Sequence, residues 1–454
     1  VPVNAWHLDG NTSTNPPTDF LGTTDNNRLA IKTDNTERMT VLANGRVLIN
    51  TSTDQGNYSL QVQGRIWTNK DMLVNEVNVG RGSGNISSNT TFGNSALAAN
   101  TTGLQLTAVG LNALNDNTTG NYNSAIGALA MESNTTGTDN TATGYTALSS
   151  NTTGSYNTGF GRSALAFNTI GNRNTSTGFG ALNANTIGSH NTATGNEALV
   201  TNTTGDNNTG IGSGSLINNT TGYNNTGTGF HALYNNGTGA GNTAIGKEAL
   251  NLDSTGNNNV AAGNMAGSTL RSGDNNIFIG YNTQPNISTS SSNQLNIGNW
   301  IYGDNGKIGI NVSTPTANVH LAAGTSTATT APLKFTSGTN LTTPENGAVE
   351  YDGTNYFATS GSTRYVLSKT LTATSALNFG STSAQSSSDL TITITGAADG
   401  DAVSLGVPNA AVNANSSYTA WVSASNTVTV RFNNYSSASI DPSSATFRVS
   451  VVKY

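Results

Sequence analysis

The chain has 454 residues, of which only 9% are charged, against roughly 25% in ordinary soluble proteins. Its formal net charge of −6 is dispersed, without the clustered Lys and Arg that nucleic-acid binding needs to displace counterions. It has no cysteine, which excludes disulfides and thiolate metal sites, and no apolar run approaches the ~20 residues of a membrane-spanning helix.

Asn, Thr, Ser and Gly take the place of the missing charge. Disordered chains are usually rich in charge and poor in β-branched residues. This one is rich in Thr, with Ile and Val at regular places, so repetitive β-structure fits better. The first residue is Val1 rather than Met, which fits a processed terminus.

Residues 1–64 read as a β connector module. A strand at Leu29–Lys32 is followed by Gly45-Arg46-Val47-Leu48-Ile49-Asn50-Thr51-Ser52-Thr53 and then by a strand over Tyr58–Val62. Residues 65–88 read as a linker. Their Gly80-x-Gly82-x-Gly84 run lacks the strand-to-helix setting and the Lys of a phosphate loop.

Residues 89–285 hold twelve glycines at 17-residue intervals, Gly93, Gly110, Gly127, Gly144, Gly161, Gly178, Gly195, Gly212, Gly229, Gly246, Gly263 and Gly280. A second series with the same step runs from Gly103 to Gly273. A period kept without insertion means one unit stacked on itself. Glycine at two fixed places disfavours a helix, and Gly/Asn corners between short strands satisfy the pattern. The expected fold is a β-solenoid, about 55 Å long at the usual strand spacing.

Numbered from each glycine, position −4 is Asn in nearly every coil and −2 is small up to the last coil. Position −1 alternates between bulky apolar residues and Thr, as in Ile126, Thr143 and Phe160. Position +4 is Leu at Leu97, Leu114, Leu148, Leu165, Leu182, Leu199, Leu216, Leu233 and Leu250, with Met131 between. Asn-Thr-Thr-Gly follows, as at Asn117–Gly120. The Leu row is the expected core, with Asn and Thr outside. One Leu per coil is a thin core, so the bulky −1 row is expected to be shared among chains in a trimer. The Asn-x-Thr runs read either as glycosylation acceptors or as corner and ladder residues.

Residues 286–368 repeat the stalk pattern. Leu295–Gly298 precedes Gly306-Lys307-Ile308-Gly309-Ile310-Asn311-Val312-Ser313-Thr314, and Asn318–Leu321 follows. Short hairpins over Pro332–Leu367 turn at Tyr351-Asp352-Gly353-Thr354. Residues 369–454 carry the period-two runs Leu390–Thr395, Thr427–Phe432 and Thr446–Val452 and read as a β-sandwich tip. Trp421 lies in an alternating strand and is assigned to the core, while Tyr418, Tyr435 and Tyr454 are candidate receptor-binding residues.

The copies reading Asn242-Thr243-Ala244-Ile245-Gly246 and Ser124-Ala125-Ile126-Gly127 resemble the repeats of trimeric adhesin heads, with a longer step. The resemblance covers residues 89–280 and implies left-handed β-rolls, three chains together. Asn35–Met39 with Gly45–Thr53, and Ala331–Phe357, resemble modules of phage tail fibres and large bacterial surface proteins. The tip resembles C-terminal domains of phage tail fibres through Asp389–Ala397, Gly400–Gly406, Asn426–Arg431 and Ile440–Thr446. That resemblance implies a trimeric, host-recognising end.

Catalytic, metal and cofactor chemistry finds no support. Glu197 and Glu248 share a repeat position three coils apart, about 14 Å, beyond the roughly 5–9.5 Å of glycosidase pairs. His7, His190, His231 and His320 are scattered, and Asp274-Asn275-Asn276 and Asp304-Asn305-Gly306 read as turns. The expected molecule is an all-β, elongated homotrimeric fibre, not an enzyme, without cofactor. Its expected role is extracellular attachment, on a virion tail or a bacterial surface, through a glycan or protein receptor. The alternatives are a secreted subunit of a head-to-tail filament, which the matching stalk modules favour, and a polysaccharide-cutting spike.

Overall fold

Each 17-residue coil contributes one three-residue strand that ends just before its repeat glycine, as in Thr141–Thr143 and Thr158–Phe160. Equivalent residues pair in parallel, Thr141 with Thr158 and Thr143 with Phe160, and the ladder runs unbroken from Thr90–Gly93 to Gln294–Ile297. The rest of the coil is turns. In this computed structural model, residues 21–66, 68–325, 327 and 330–453 are described, and the chain is an all-β protein built around a β-solenoid. It divides into two units, Val1–Ala322 and Ala323–Tyr454.

The turns also bond from coil to coil. Leu148 donates its N–H to Ala164 O (3.0 Å), Thr152 to Thr169 O (2.9 Å), and Tyr156 to Thr138 O on the other side (3.0 Å). Backbone groups buried inside the rod are thereby satisfied. The glycine row is required by the same closeness. Gly161 has φ +134°, and a Cβ there would lie 2.6 Å from the carbonyl oxygen of Gly178.

The +4 leucines, Leu114, Leu148, Leu165, Leu182, Leu199, Leu216, Leu233 and Leu250, are fully buried. They stand in the left-handed region, Leu182 at φ 50°, which costs about 1–2 kcal/mol per residue. Full burial of a Leu side chain, worth about 1.5–3 kcal/mol, offsets that strain. Alanines at +3 and small residues at −2 complete the apolar interior. Where −2 becomes the large Phe278, the +4 position of the neighbouring coil is Gly267. A Cβ on Gly267 would meet Phe278 at 2.6 Å, so core volume is conserved.

The asparagines are inside, which corrects the expectation of an amide-wetted exterior. The −4 row (Asn123, Asn140, Asn157 and on to Asn276) and the row that opens Asn-Thr-Thr-Gly (Asn117, Asn134, Asn151 and on to Asn236) are fully buried. In the second row each Nδ2 donates to the Oδ1 one coil back, Asn168 to Asn151 at 2.8 Å and Asn185 to Asn168 at 2.8 Å, and also to the glycine carbonyl three residues on. In the first row Oδ1 accepts the next Asn N–H, as Asn157 N to Asn140 (2.9 Å), while Nδ2 donates to a glycine carbonyl. Burying an amide is tolerable only with its partners present, and an identical neighbouring coil supplies them. The Asn-x-Thr asparagines are thus ladder residues in the folded chain, their amides already engaged.

Residues 65–88, read as a linker, contain the hairpin Met72–Val74 and Val77–Gly80, which extends the ladder antiparallel beyond its first coil. At the other end Ile301–Asp304 and Lys307–Ile310 add antiparallel strands. The two stalk modules share one topology. Each has two antiparallel steps and then a parallel one, Val47–Ile49 onto Leu60–Val62 and Lys307–Ile310 onto Val319–Leu321.

In the second unit, Val349–Tyr351, Tyr356–Ser360 and Thr363–Val366 form a meander. Asp352 Oδ1 closes its first turn by accepting from Thr354 and Asn355, both at 2.7 Å. Beyond it, sheets Lys369–Leu377/Ala445–Lys453/Ala402–Gly406 and Ser386–Thr393/Thr427–Asn434/Ser416–Ala424 enclose one core containing Ile392, Val430, Phe432, Phe447 and Val449. Among the described residues no helix is long and apolar enough to cross a membrane.

Asn168→Ala should leave Asn151 Oδ1 unpartnered inside the rod and take one of two partners each from the Gly171 carbonyl and the Asn185 amide. A loss of about 1–3 kcal/mol, the usual cost of one orphaned buried group, is expected in denaturant titration of the rod. The amide row ends at Asp253, which burial, with a smaller push from Asp274, raises from 3.8 to about 6. Its folded pKa exceeds its unfolded one, so stability falls as pH rises from about 4 to 6 and stays lower above that. Asp253→Asn should raise stability at pH 7.5, by on the order of 2–3 kcal/mol, and change it little at pH 4. Melting curves at the two pH values check this.

Candidate receptor-binding face

The strand Ser416–Ala424 alternates from Tyr418 to Val422, and its parity divides the tip's aromatic residues. Tyr418, Ala420 and Val422 point into the sandwich, whereas Ser417, Thr419, Trp421 and Ser423 share its outer face. Tyr418 is half-buried and packs against the core of the sandwich. Its ring packs 5.1 Å from Phe432 and 5.0 Å from Phe447, with Phe379 at 5.6 Å. Its hydroxyl donates to Ala411 O at 2.9 Å, and burial pushes its pKa up to about 12.

Trp421, assigned from sequence to the core, is on the outer face and 37% exposed. It lies directly across from Thr429, which is buried although it belongs to the outward parity. Beside it Arg431 sets its guanidinium 4.9 Å over the indole. Arg431 also grips Asp389 through two parallel bonds, Nε to Oδ1 and Nη2 to Oδ2, both 2.7 Å. The Arg431 bond and charge hold the Asp389 carboxyl below its ordinary range. Asp389, Arg431 and Thr419 face one another across the three strands.

Tyr435 directly follows the same sheet's central strand, Thr427–Asn434, and is 62% exposed. Its hydroxyl lies 3.1 Å from Ser417 Oγ, and Asn433 Nδ2 reaches Ser417 Oγ at 3.4 Å. Gln385, Ser386, Ser387 and Asn433 surround it in a shallow polar hollow. The face thus combines an indole, a fixed donor–acceptor pair and a phenol among hydroxyls and amides. That mixture can stack on the apolar face of a sugar ring while bonding its hydroxyl groups. Tyr454, the third tyrosine proposed for the tip, lies outside the described residues.

Elsewhere the candidates do not assemble into a reactive centre. Glu197 and Glu248 occupy the same position on separate coils, and Glu248 lies 3.4 Å from Lys247. His231 stacks on Phe230 at 3.7 Å, His190 is exposed, and His320 accepts from Thr316 N at 3.3 Å, while His7 is outside the described residues. The glycine-rich loop at Gly80–Gly84 has its Arg81 and Gly82 amides filled by the Asp71 carboxylate, both at 2.7 Å. Among the described residues no cluster of His, Asp and Glu could hold a metal ion.

Sequence reasoning passed over Asp389, Arg431 and Trp421 as a group. The signal that finds them is strand parity, because Trp421 falls in step with Ser417, Thr419 and Ser423. Compared with known protein families, with curated proteins and with solved structures, the chain matches none.

Proposed function

We propose that this chain is a non-enzymatic extracellular attachment fibre. In this reading a rigid trimeric rod carries a C-terminal domain that binds a cell-surface glycan. The observation that carries it is the contrast between the two units. The rod spends its polar side chains on itself, amide on amide, while the tip holds an indole and a braced Arg431–Asp389 pair on an open sheet face.

A tail-fibre or adhesin role, on a virion or a bacterial surface, follows from the resemblance of the repeats and tip. The filament alternative requires ends that join. Supporting the fibre instead, both ends of the coil stack carry antiparallel strands that cover the parallel ladder, as proteins do to blunt edges against unwanted pairing.

Binding to a glycan array tests the reading. The intact chain should bind a restricted set of neutral glycans. Trp421→Ala should lower affinity at least tenfold, about 1.4 kcal/mol, without shifting the melting of the tip, and Tyr418→Phe should leave binding nearly unchanged. Equal binding by Trp421→Ala and wild type would contradict the assignment of this face.

A further inference from the structure

The tip sandwich has a second outer face, on the sheet formed by Lys369–Leu377, Ala445–Lys453 and Ala402–Gly406. None of these three strands contains an acidic residue. Leu371, Val403, Val449 and Val451 face the core, so parity sends the residues between them outward. On the central strand of the outward set stands Arg448, directly across from Thr374 on one side and Gly406 on the other. One step along the same face, Ser450 lies between Thr372 and Ser404. Arg431 and Lys453 are each neutralised within the fold, by Asp389 at 2.7 Å and by Asp401 at 2.9 Å. Among the described residues the Arg448 guanidinium has no ion-pair or hydrogen-bond partner, and the four hydroxyls around it are equally unspent. A Cβ at Gly406 would stand 3.5 Å from that of Arg448, so glycine there leaves the flank of the arginine open. Thr372, Thr374, Arg448 and Ser450 line an open hollow of about 440 Å³, within the roughly 300–1,000 Å³ of small-ligand sites.

We infer that this face is a second binding site, separate from that of Trp421, and that its ligand is a carboxylated sugar. A guanidinium presents parallel N–H donors that match the two coplanar oxygens of a carboxylate. The hydroxyls of Thr372, Thr374, Ser404 and Ser450 can both donate to and accept from the hydroxyl groups of a sugar ring. No aromatic ring stands among the outward residues of these strands, so the face selects by charge rather than by stacking. The Trp421 face has the opposite endowment, an indole to stack on and an arginine whose charge Asp389 cancels. A neutral ligand would leave the Arg448 charge unmatched, whereas a monoanion cancels it one for one. The chain as a whole carries a net charge of −6 and repels polyanions, so retention of one requires a local cation of this kind. The inference goes beyond the Trp421 reading and does not depend on it.

Binding of the intact chain to immobilised polygalacturonate at low salt tests the site, with the fully methyl-esterified polymer as the uncharged control. Wild type should be retained by the acid polymer and pass over the ester. Arg448→Gln should weaken retention about tenfold, the usual worth of one hydrogen bond to a charged group, with the melting of the tip unchanged. Arg448→Lys keeps the charge and loses the fork, and should fall between the two. Trp421→Ala should bind polygalacturonate as wild type does. Equal retention of Arg448→Gln and wild type, equal retention on the ester, or no retention of wild type on either polygalacturonate or hyaluronate would overturn the site and leave the Trp421 reading standing. Loss of retention in Trp421→Ala but not in Arg448→Gln would overturn it in favour of the other face. Preference for dextran sulfate over both carboxylated polymers would overturn the assignment of a carboxylate.

Discussion

The fold depends on one requirement: the buried amides and turn backbones of a coil find partners at equivalent places on its neighbouring coils. Backbone bonds link Thr152 to Thr169 and Leu148 to Ala164, and side-chain bonds link Asn151, Asn168 and Asn185 in sequence. One residue more or fewer would move a whole coil out of step and strand several amides in the interior. This explains why the 17-residue step is kept without interruption while exposed positions vary freely between Thr, Tyr, Arg and His. Stability in such an array is carried by nearest-neighbour interfaces rather than by one large core.

Much of this is legible in the sequence. The glycine and leucine series announced a β-solenoid, because a close backbone approach and an apolar row both leave a fixed residue type at a fixed interval. The direction of the asparagines was not legible. Asn ordinarily marks a surface or a corner, and its burial becomes favourable only when an identical coil supplies its partners. Nor does sequence reveal that Leu182 adopts a left-handed conformation, since leucine pays for this only where a packed interior receives it.

At the tip, the error with Trp421 and Tyr418 had a definite cause. Alternation shows that a strand has two faces without showing which is buried, and the face a residue occupies is read from the neighbours in step with it. Tyr418 falls in step with Val422 and enters the core, whereas Trp421 falls in step with serines and a threonine. The two halves of the molecule thus use their polar residues in opposite ways. In the rod, amides are consumed in holding coils together, and in the tip, Asp389 and Arg431 hold each other while facing outward.

The most direct test of the commensurate stack compares two deletions in thermal unfolding followed by circular dichroism. Removing residues 172–188 joins Gly171 to Ser189 and takes out one complete coil, leaving every remaining ladder in phase. That variant should melt cooperatively close to the wild type. Removing Thr204 alone, an outward-facing residue, puts the coils on either side out of phase and should cost the rod its cooperative transition. Equal tolerance of both deletions, or better tolerance of the single one, would contradict the account.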